Sequence, residues 1–480
     1  MWNFSKFGAN IAFIEENGEN ITYAELQSTS EALISHTHAR SVAFNFCTNE
    51  KGSLLGYVAF VNSGIVPVML DAALERGLVS ALIENYRPDY LWLPQNMAGE
   101  FSGCSEVYSV WGYTLLKTPY DKVFPLYEEL ALLLTTSGST GSPKFVRQSY
   151  ANIKANTESI VEYLEIDASE RPITTLPMSY TYGLSIINSH LWIGASIILT
   201  QKTLMQKEFW QQFKDYGATS FGGVPYIYEM LEKLRFFRMD LPALRTMTQA
   251  GGKLSPELHR KFAEYAQSNG KKFVVMYGQT EATARMSYLP AEKSLEKYGS
   301  MGIAIPGGEF SLIDVDGNVI MEPEVVGELV YKGANVTLGY AESGADLIKC
   351  DERGGVLVTG DMAKRDADGF YYIVGRKKRF LKIFGSRVNL DETERLLNGA
   401  FEGLDCACGG IDDKMTVFIT DAGASDKVMK FLTEKTGINR IAFNIVVIDK
   451  IPRNEAGKIL YSELNKIDDR GNVPNTTLFT

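Results

Sequence analysis

Short apolar runs alternate with helix-like stretches from Ser41 onward, and this alternation constrains the fold more than any other feature. Ser41–Cys47 reads as a strand. Leu54–Gly64 reads as a helix and Ile65–Leu70 as the next strand. Leu78–Asn85 is again helical, before the strand-like Tyr90–Leu93. Strands separated by helices favour α/β layering with largely parallel strands. The pattern continues through Asn152–Leu164 (helix), Ile173–Leu176 (strand), Leu184–Ile193 (helix) and Ala195–Thr200 (strand). Pro256–Gln267 is a further helix, and Lys272–Met276 a strand ending at Tyr277–Gly278. From about residue 299 the turn pairs Asp316–Gly317 and Asp368–Gly369 punctuate short alternating strands, which predicts antiparallel hairpins in a distorted, barrel-like sheet. After Gly375 the chain turns basic, and a domain boundary is placed near Lys378, giving domains 1–377 and 378–480.

A chain of 480 residues should hold more than one domain, because single cores stop growing near about 250–300 residues. No apolar stretch reaches the ~20 residues needed to span a bilayer. The N-terminus Met-Trp-Asn-Phe-Ser-Lys-Phe-Gly lacks the basic segment and apolar core of a leader, so a cytoplasmic protein without membrane partners is expected. The net charge of −10 argues against nucleic acid as a partner. Cys406 and Cys408 form a lone C-x-C that reads as two small core residues on a strand. His36 and His38 share one segment, with no carboxylate cluster around them in the sequence. Metal-centred or histidine-based nucleophilic catalysis is therefore not expected.

Leu132, Leu133 and Leu134 empty directly into Thr136, Ser137, Gly138, Ser139, Thr140, Gly141, Ser142, Pro143 and Lys144. Glycines let backbone N–H groups converge, hydroxyls add donors, and Lys144 adds a compact positive charge, a combination suited to polyphosphate. It is not a Walker A loop, because Pro143 stands where that pattern needs glycine. A Gly/Ser run alone is as often a flexible surface loop; the attached strand and the lysine favour phosphate. Four further segments point the same way. Tyr277–Gly278–Gln279–Thr280–Glu281 offers a ring for a base, a close backbone approach, a hydroxyl and a carboxylate for Mg²⁺. Thr359–Gly360–Asp361 offers a carboxylate for ribose hydroxyls. Gly375–Arg376 and the turn Pro452–Lys458 each present a cation. Taken singly, each of these four is an ordinary turn or solvated edge.

The order and content of the five segments together resemble the adenylate-forming superfamily of acyl-CoA synthetases, luciferases and carrier-protein adenylation domains. The resemblance covers Leu54 to Lys458. It implies a large N-terminal domain of two doubly wound α/β subdomains plus a distorted β-barrel, with a small mobile α+β C-terminal domain hinged near Lys378. It implies an acid–thiol ligase that joins a small carboxylic acid to the α-phosphate of ATP, expels pyrophosphate, and passes the acyl group to a thiol. Such a carboxylic acid, with a pKa near ~4.3, is already ionised at neutral pH, so the first step needs charge neutralisation and alignment rather than a base.

By the same resemblance, Thr136 to Gly141 and Lys144 would hold the outer phosphates. Thr280 would touch the α-phosphate and Glu281 would hold Mg²⁺. Tyr277 would stack on adenine, with Gly278 beside it and Gly251 and Gly252 at the junction of base and acyl group. Asp361 and Arg376 would hold the ribose, Lys458 would bridge the reacting oxygens, and Gly385 would face the thiol channel. The acyl pocket would draw on Tyr180, Tyr182, Phe221, Val224 and Met276. The segment Leu176–Gly183 has no acidic residue to meet an α-ammonium, which weighs against an amino acid. The acceptor is coenzyme A or the phosphopantetheine of an acyl carrier protein, and the basic run Lys377, Lys378, Arg379, Lys382 and Arg387 would suit either. An amino-acid adenylating enzyme, a non-catalytic nucleotide binder and a phosphotransferase are the alternatives. The last would release ADP rather than AMP.

Overall fold

The computed structural model describes residues 1–135, 144–383, 386–401, 403–453 and 459–470. The chain forms two compact units. The first comprises residues 1–135, 144–310 and 330–357, and the second residues 311–329 with the described part of 358–470.

The first unit is built on an eight-stranded sheet. Its middle strands Leu130–Thr135, Val66–Asp71, Val42–Cys47 and Tyr90–Pro94 run parallel, in that order. Antiparallel strands flank them: Phe145–Ser149 then Gly339–Ala341 on one side, Tyr113–Lys117 then Ser105–Val110 on the other. The parallel strands read as unbroken apolar runs because both faces are covered. The helix Lys51–Asn62 crosses over one face and is buried from Gly52 to Val61. Gly56 in that helix lies against Trp92, where a Cβ would strike the indole, and Trp92 Nε1 donates to the Gly52 carbonyl at 2.7 Å.

A second sheet in the same unit carries the parallel strands Ser220–Gly223, Thr246–Gln249 and Lys272–Tyr277, followed by antiparallel Ser287–Tyr288 and Ile303–Ala304. The helix Pro256–Ser268 starts on a Ser255 cap with proline in its first turn, the expected start signal. A small third sheet pairs Ile197–Ile198 with Ile11–Ile14 and Asn20–Thr22. Two expected strands are shorter than the sequence suggests. Ala195–Thr200 is regular over Ile197–Ile198, and Ile173–Leu176 is reduced to bridges. The reason is visible in the bonding. Pro172 pairs with Ser220 of one sheet while Ile173 pairs with Ile198 of another, so this segment stitches two sheets and continues neither ladder. Thr174 Oγ1 then accepts from Thr200 N at 2.9 Å in place of a ladder carbonyl.

In the second unit, residues 358–365 of the strand Val356–Arg365 pair with Tyr371–Arg376 as an antiparallel hairpin. Its turn is fastened by Asp366 Oδ1, which accepts from the backbone of Asp368 and Phe370. A hairpin of Phe380–Ile383 with Ser386–Asn389 follows, then a three-stranded sheet of Cys406–Ile411, Lys414–Ile419 and Phe443–Val447 with helices Leu390–Ala400, Ser425–Thr436 and Tyr461–Arg470. Cys406 and Cys408 are unpaired and buried in the core of this sheet, as expected of small strand residues. Arg379 departs from its expected place in a docking patch. It is nearly buried, ion-pairs with Asp391 at 2.7 Å and Glu394 at 2.5 Å, and lies 3.8 Å from the centre of the Tyr461 ring. Lys377 is likewise engaged, by Glu328 at 2.6 Å.

The expectation of no carboxylate cluster around His36 and His38 is corrected at His38. His38 Nε2 lies 3.0 Å from Asp121 and 3.8 Å from Asp89. Lys117 Nζ is 3.4 Å from the same nitrogen, and Asp89 is held by the backbone of Val42 and Lys122. Three sequence-distant segments meet there, which local pattern cannot show. No helix among the described residues is long and apolar enough to cross a membrane.

Candidate active site

Two strand ends of the first unit converge on one aromatic ring. Leu130–Thr135 leads into the phosphate-type loop, and the chain re-enters the sheet from Lys144 along Phe145–Ser149. Tyr340, opposite Val146 on the neighbouring strand, places its ring centre 3.7 Å from Lys144 Nζ. Lys272–Tyr277 ends at Gly278, and the 3₁₀ turn Thr280–Ala282 presents Glu281. The Tyr340 hydroxyl donates to Glu281 Oε1 at 2.7 Å. Arg353 closes the group. Its guanidinium carbon lies 4.7 Å from the Tyr340 ring centre, and its Nη1 donates to the Glu281 carbonyl at 2.9 Å and to Thr337 Oγ1 at 2.5 Å. Burial and the Glu281 charge both push the Tyr340 hydroxyl well above the ordinary tyrosine range, so it stays a donor.

The support beneath this group is densely hydrogen-bonded. Arg147 is fully buried and donates to the carbonyls of Tyr340 at 3.0 Å, Leu338 at 3.2 Å and Cys350 at 3.3 Å, and also to that of Lys349; it ion-pairs with Glu352. Gly339 lies between these groups at φ +130°, where a Cβ would reach 2.9 Å from Arg147 Nη2. Behind Glu281, Thr283 adopts φ 65° and ψ −63°, and Ala284 N donates to the Ala282 carbonyl at 2.8 Å. That is a γ-turn of the strained hand, in a non-glycine residue. Thr283 Oγ1 holds it by donating to the Asn335 carbonyl at 2.7 Å, and Thr181 Oγ1 donates to the Thr283 carbonyl. Gly278 packs directly against Ala284, whose carbonyl occupies the space a Cβ would need.

The expected acyl-pocket residues divide. Tyr182, Val224 and Met276 share one apolar cluster with Leu176, Ala250 and Val274, and Tyr180 packs against it. Gly251 abuts them at φ +82°, where a Cβ would lie 2.6 Å from Tyr180 Oη and 3.0 Å from Val224 Cγ1. Gly252 lies against Pro225. Burial raises the Tyr180 hydroxyl to about 12. Phe221 is not in that cluster. It packs among Phe213, Tyr228 and Phe236, and it borders a cavity lined by His190 and Arg285. Its strand Ser220–Gly223 is buried on both faces, so an apolar residue there does not reveal its side.

Tyr277 receives a hydrogen bond from Gln279 Nε2 at 3.1 Å. In the second unit Asp361 and Arg376 stand opposite each other in hairpin register, with Arg376 Nε 3.4 Å from Asp361 Oδ1. Lys378 lies on the 3₁₀ turn Lys377–Arg379. Thr136, Ser137, Gly138, Ser139, Thr140, Gly141, Gly385 and Lys458 lie outside the described residues. Sequence reasoning missed Thr337, Tyr340 and Arg353. A tyrosine following glycine in Thr337–Tyr340 is the one available signal, and it is weak.

The sequence profile of the AMP-binding enzyme family matches residues 2–341. The peroxisomal OPC-8:0-CoA ligase 1 of Arabidopsis thaliana is 29% identical over 354 residues, which cover 71% of this chain and 64% of that protein. The chain thus spans just under two thirds of the length of that relative. Among solved structures, the o-succinylbenzoate CoA synthetase MenE of Bacillus subtilis, in complex with the acyl-adenylate intermediate OSB-AMP, superposes with a TM-score of 0.77 at 21% identity, covering 100% of this chain and 99% of that one. ATP-bound MatB from Rhodopseudomonas palustris gives a TM-score of 0.77 at 22% identity, covering 97% and 98%. At these identities the two structures establish the fold: a large N-terminal domain with sheets and a smaller C-terminal domain. With more than half its length matched by the family profile, this chain belongs to the AMP-binding enzyme family.

Proposed function

We propose that this chain activates a small carboxylic acid with ATP, releasing pyrophosphate and forming an acyl-adenylate, and then transfers the acyl group to a pantetheine thiol. The carrying observation is the meeting of Lys144, Tyr340 and Glu281 beyond the ends of Leu130–Thr135 and Lys272–Tyr277. Ligands of open α/β sheets bind outside the carboxyl ends of the strands. A cation over the ring of Tyr340 and a carboxylate at its hydroxyl suit a polyphosphate and its metal.

Lys144 draws charge from the outer phosphates, together with the donors of Thr136–Gly141. Thr280 orients the α-phosphate. Glu281 fits Mg²⁺, an ion that takes oxygen donors: Tyr340 donates to Oε1, and among the described residues no group donates to Oε2. When bound, that ion neutralises phosphate charge during the displacement. Tyr277 and Gly278 border the adenine, and Gly251 and Gly252 the junction with the acid; the family resemblance alone carries Asp361 and Arg376 to the ribose. Tyr180, Tyr182, Val224 and Met276 wall the acyl group. Lys458 aligns the acid with the α-phosphate, Lys378 is the hinge and Gly385 lines the thiol path, all three carried by the family resemblance. The named CoA ligase and CoA synthetase relatives support coenzyme A as acceptor; a carrier-protein thiol is the alternative.

The test is ATP–pyrophosphate exchange by the full chain against a panel of carboxylic acids, followed by thioester formation with coenzyme A or an added carrier protein. Acid-dependent exchange and AMP as product are expected. ADP as product, or no exchange with any acid, would refute the reading.

A further inference from the structure

Arg285 is 2% exposed, and its partners are all neutral. Its Nε donates to Ser185 Oγ at 3.2 Å, and its Nη1 to Tyr163 Oη at 3.2 Å and Met276 Sδ at 3.3 Å. Its guanidinium carbon lies 5.1 Å from the centre of the Tyr182 ring. Among the described residues, no carboxylate pairs with it. Its backbone is pinned, since its carbonyl accepts from Asn156 Nδ2 at 2.8 Å and Asn335 Nδ2 at 3.1 Å. A guanidinium taken out of water without an anion is costly, and arginine is almost never fully buried unless paired.

A cavity of about 30 Å³ lies beside it, lined by Ile186, His190, Phe221, Gly222, Thr248 and Arg285 itself. Glu170 also borders the cavity, but its carboxylate is held by Thr219 Oγ1 and lies 3.7 Å from Arg245. His190 Nδ1 faces the Ile186 carbonyl at 2.7 Å, which places its proton on that nitrogen and leaves Nε2 an acceptor. Burial, with Arg285 adding to it, holds His190 neutral by lowering its pKa to about 4. The positive charge at this cavity therefore resides on Arg285. Met276 and Tyr182, which Arg285 touches, belong to the apolar cluster that Gly251 abuts. Arg285 is thus joined through Met276 and Tyr182 to the apolar cluster assigned to the acid.

We propose that the acid activated here carries a second anionic group at its far end, and that Arg285 receives it. This deepens and rests on the acid-activation reading above. A monocarboxylic acid would leave the guanidinium without a counter-ion, and an acid ending in an ammonium would be repelled.

The test is pyrophosphate exchange by the full-length protein with succinate, glutarate and adipate, each beside its monomethyl ester and the monoacids butyrate, valerate and hexanoate. At least one diacid should exceed its own ester in kcat/KM by about a hundredfold, the scale of an ion pair broken in a buried site. Arg285→Met should bring that ratio close to one, and Arg285→Lys should restore part of it. Robust exchange with esters and monoacids, without diacid preference, would overturn the inference and leave acid activation standing. A ratio that survives Arg285→Met would overturn Arg285 as the receiver. No exchange with any acid would remove the acid-activation reading, and this inference with it. Should Arg285→Met fail to fold, the wild-type ratio and the thermal stabilisation by diacid over ester decide the matter.

Discussion

The Tyr340 hydroxyl donates to the Glu281 carboxylate at 2.7 Å while the same ring lies beneath the Lys144 ammonium. One side chain thereby sets the geometry of both groups assigned to the nucleotide. Tyr340→Phe keeps the ring and removes the bond to Glu281. A hydrogen bond to a charged group is worth ~1.5–3 kcal/mol, so exchange should fall about tenfold or more. Much of that loss should be recovered at raised Mg²⁺, because the ion can reorder a loosened carboxylate. Tyr340→Leu removes the ring as well and should fall further, with less recovery. A magnesium titration of pyrophosphate exchange separates the two, and equal activity in all three proteins would contradict the arrangement.

Thr283 holds a positive φ of 65° behind Glu281, tied by its hydroxyl to the Asn335 carbonyl. Thr283→Ala loses the tie and keeps the strain. Thr283→Gly loses the tie and relieves the strain. Alanine is ordinarily the more stable choice, but here glycine should be less damaging by about 1 kcal/mol. All five tryptophans, Trp2, Trp92, Trp111, Trp192 and Trp210, lie in the first unit, so urea unfolding followed by their fluorescence reads this unit alone. The usual alanine-over-glycine order would speak against the strained turn.

Much of the frame was legible because its cause is local. The middle strands of the large sheet read as apolar runs, and Asp361 and Arg376 meet across a hairpin whose turn, Asp366–Phe370, carries the Asp-Gly signal. What the sequence hides depends on tertiary pairing. Tyr340 and Glu281 are 59 residues apart. Arg285 reads as one cation in Ala-Thr-Ala-Arg-Met-Ser and is recognised as buried only once Asn156 and Asn335 fasten its backbone. Phe221 packs outside the Tyr182 cluster, and its side is illegible in sequence because a strand covered on both faces has no polar side to orient it. The His38 group needs Asp89 and Asp121 brought from separate segments.

Gly251 lies against Tyr180 and Val224 at φ +82°. Gly251→Ala adds a methyl 2.6 Å from the Tyr180 hydroxyl and places a Cβ in a left-handed conformation that costs about 1–2 kcal/mol. Tyr180 must swing into the space assigned to the acid. The KM for the acid should therefore rise about tenfold, with a much smaller change for ATP. Initial rates with each substrate varied in turn check this. A rise for ATP alone would place Gly251 on the nucleotide side.

His259 is buried, accepts from Gly299 N at Nδ1 (3.1 Å) and faces Ser294 Oγ at Nε2 (3.0 Å). Burial lowers its pKa from 6.5 to about 4. Above pH 6.5 neither the folded nor the unfolded chain protonates it. Between 6.5 and 4 the unfolded chain binds the proton and the folded chain does not, so stability drops as pH falls through that window. At about pH 5 the loss should reach ~2 kcal/mol for this residue. His190, lowered to about 4 as well, contributes in the same window and direction. His259→Gln removes one titrating group. Its stability at neutral pH will be lower, because a buried pair of hydrogen bonds is disturbed. Its further loss between pH 7 and about 5 should nevertheless be ~2 kcal/mol smaller than that of the wild type, by the same linkage. Tryptophan-monitored urea unfolding at the two pH values measures this difference. Identical losses in the two proteins would mean that the folded chain takes up the proton at His259 as readily as the unfolded one.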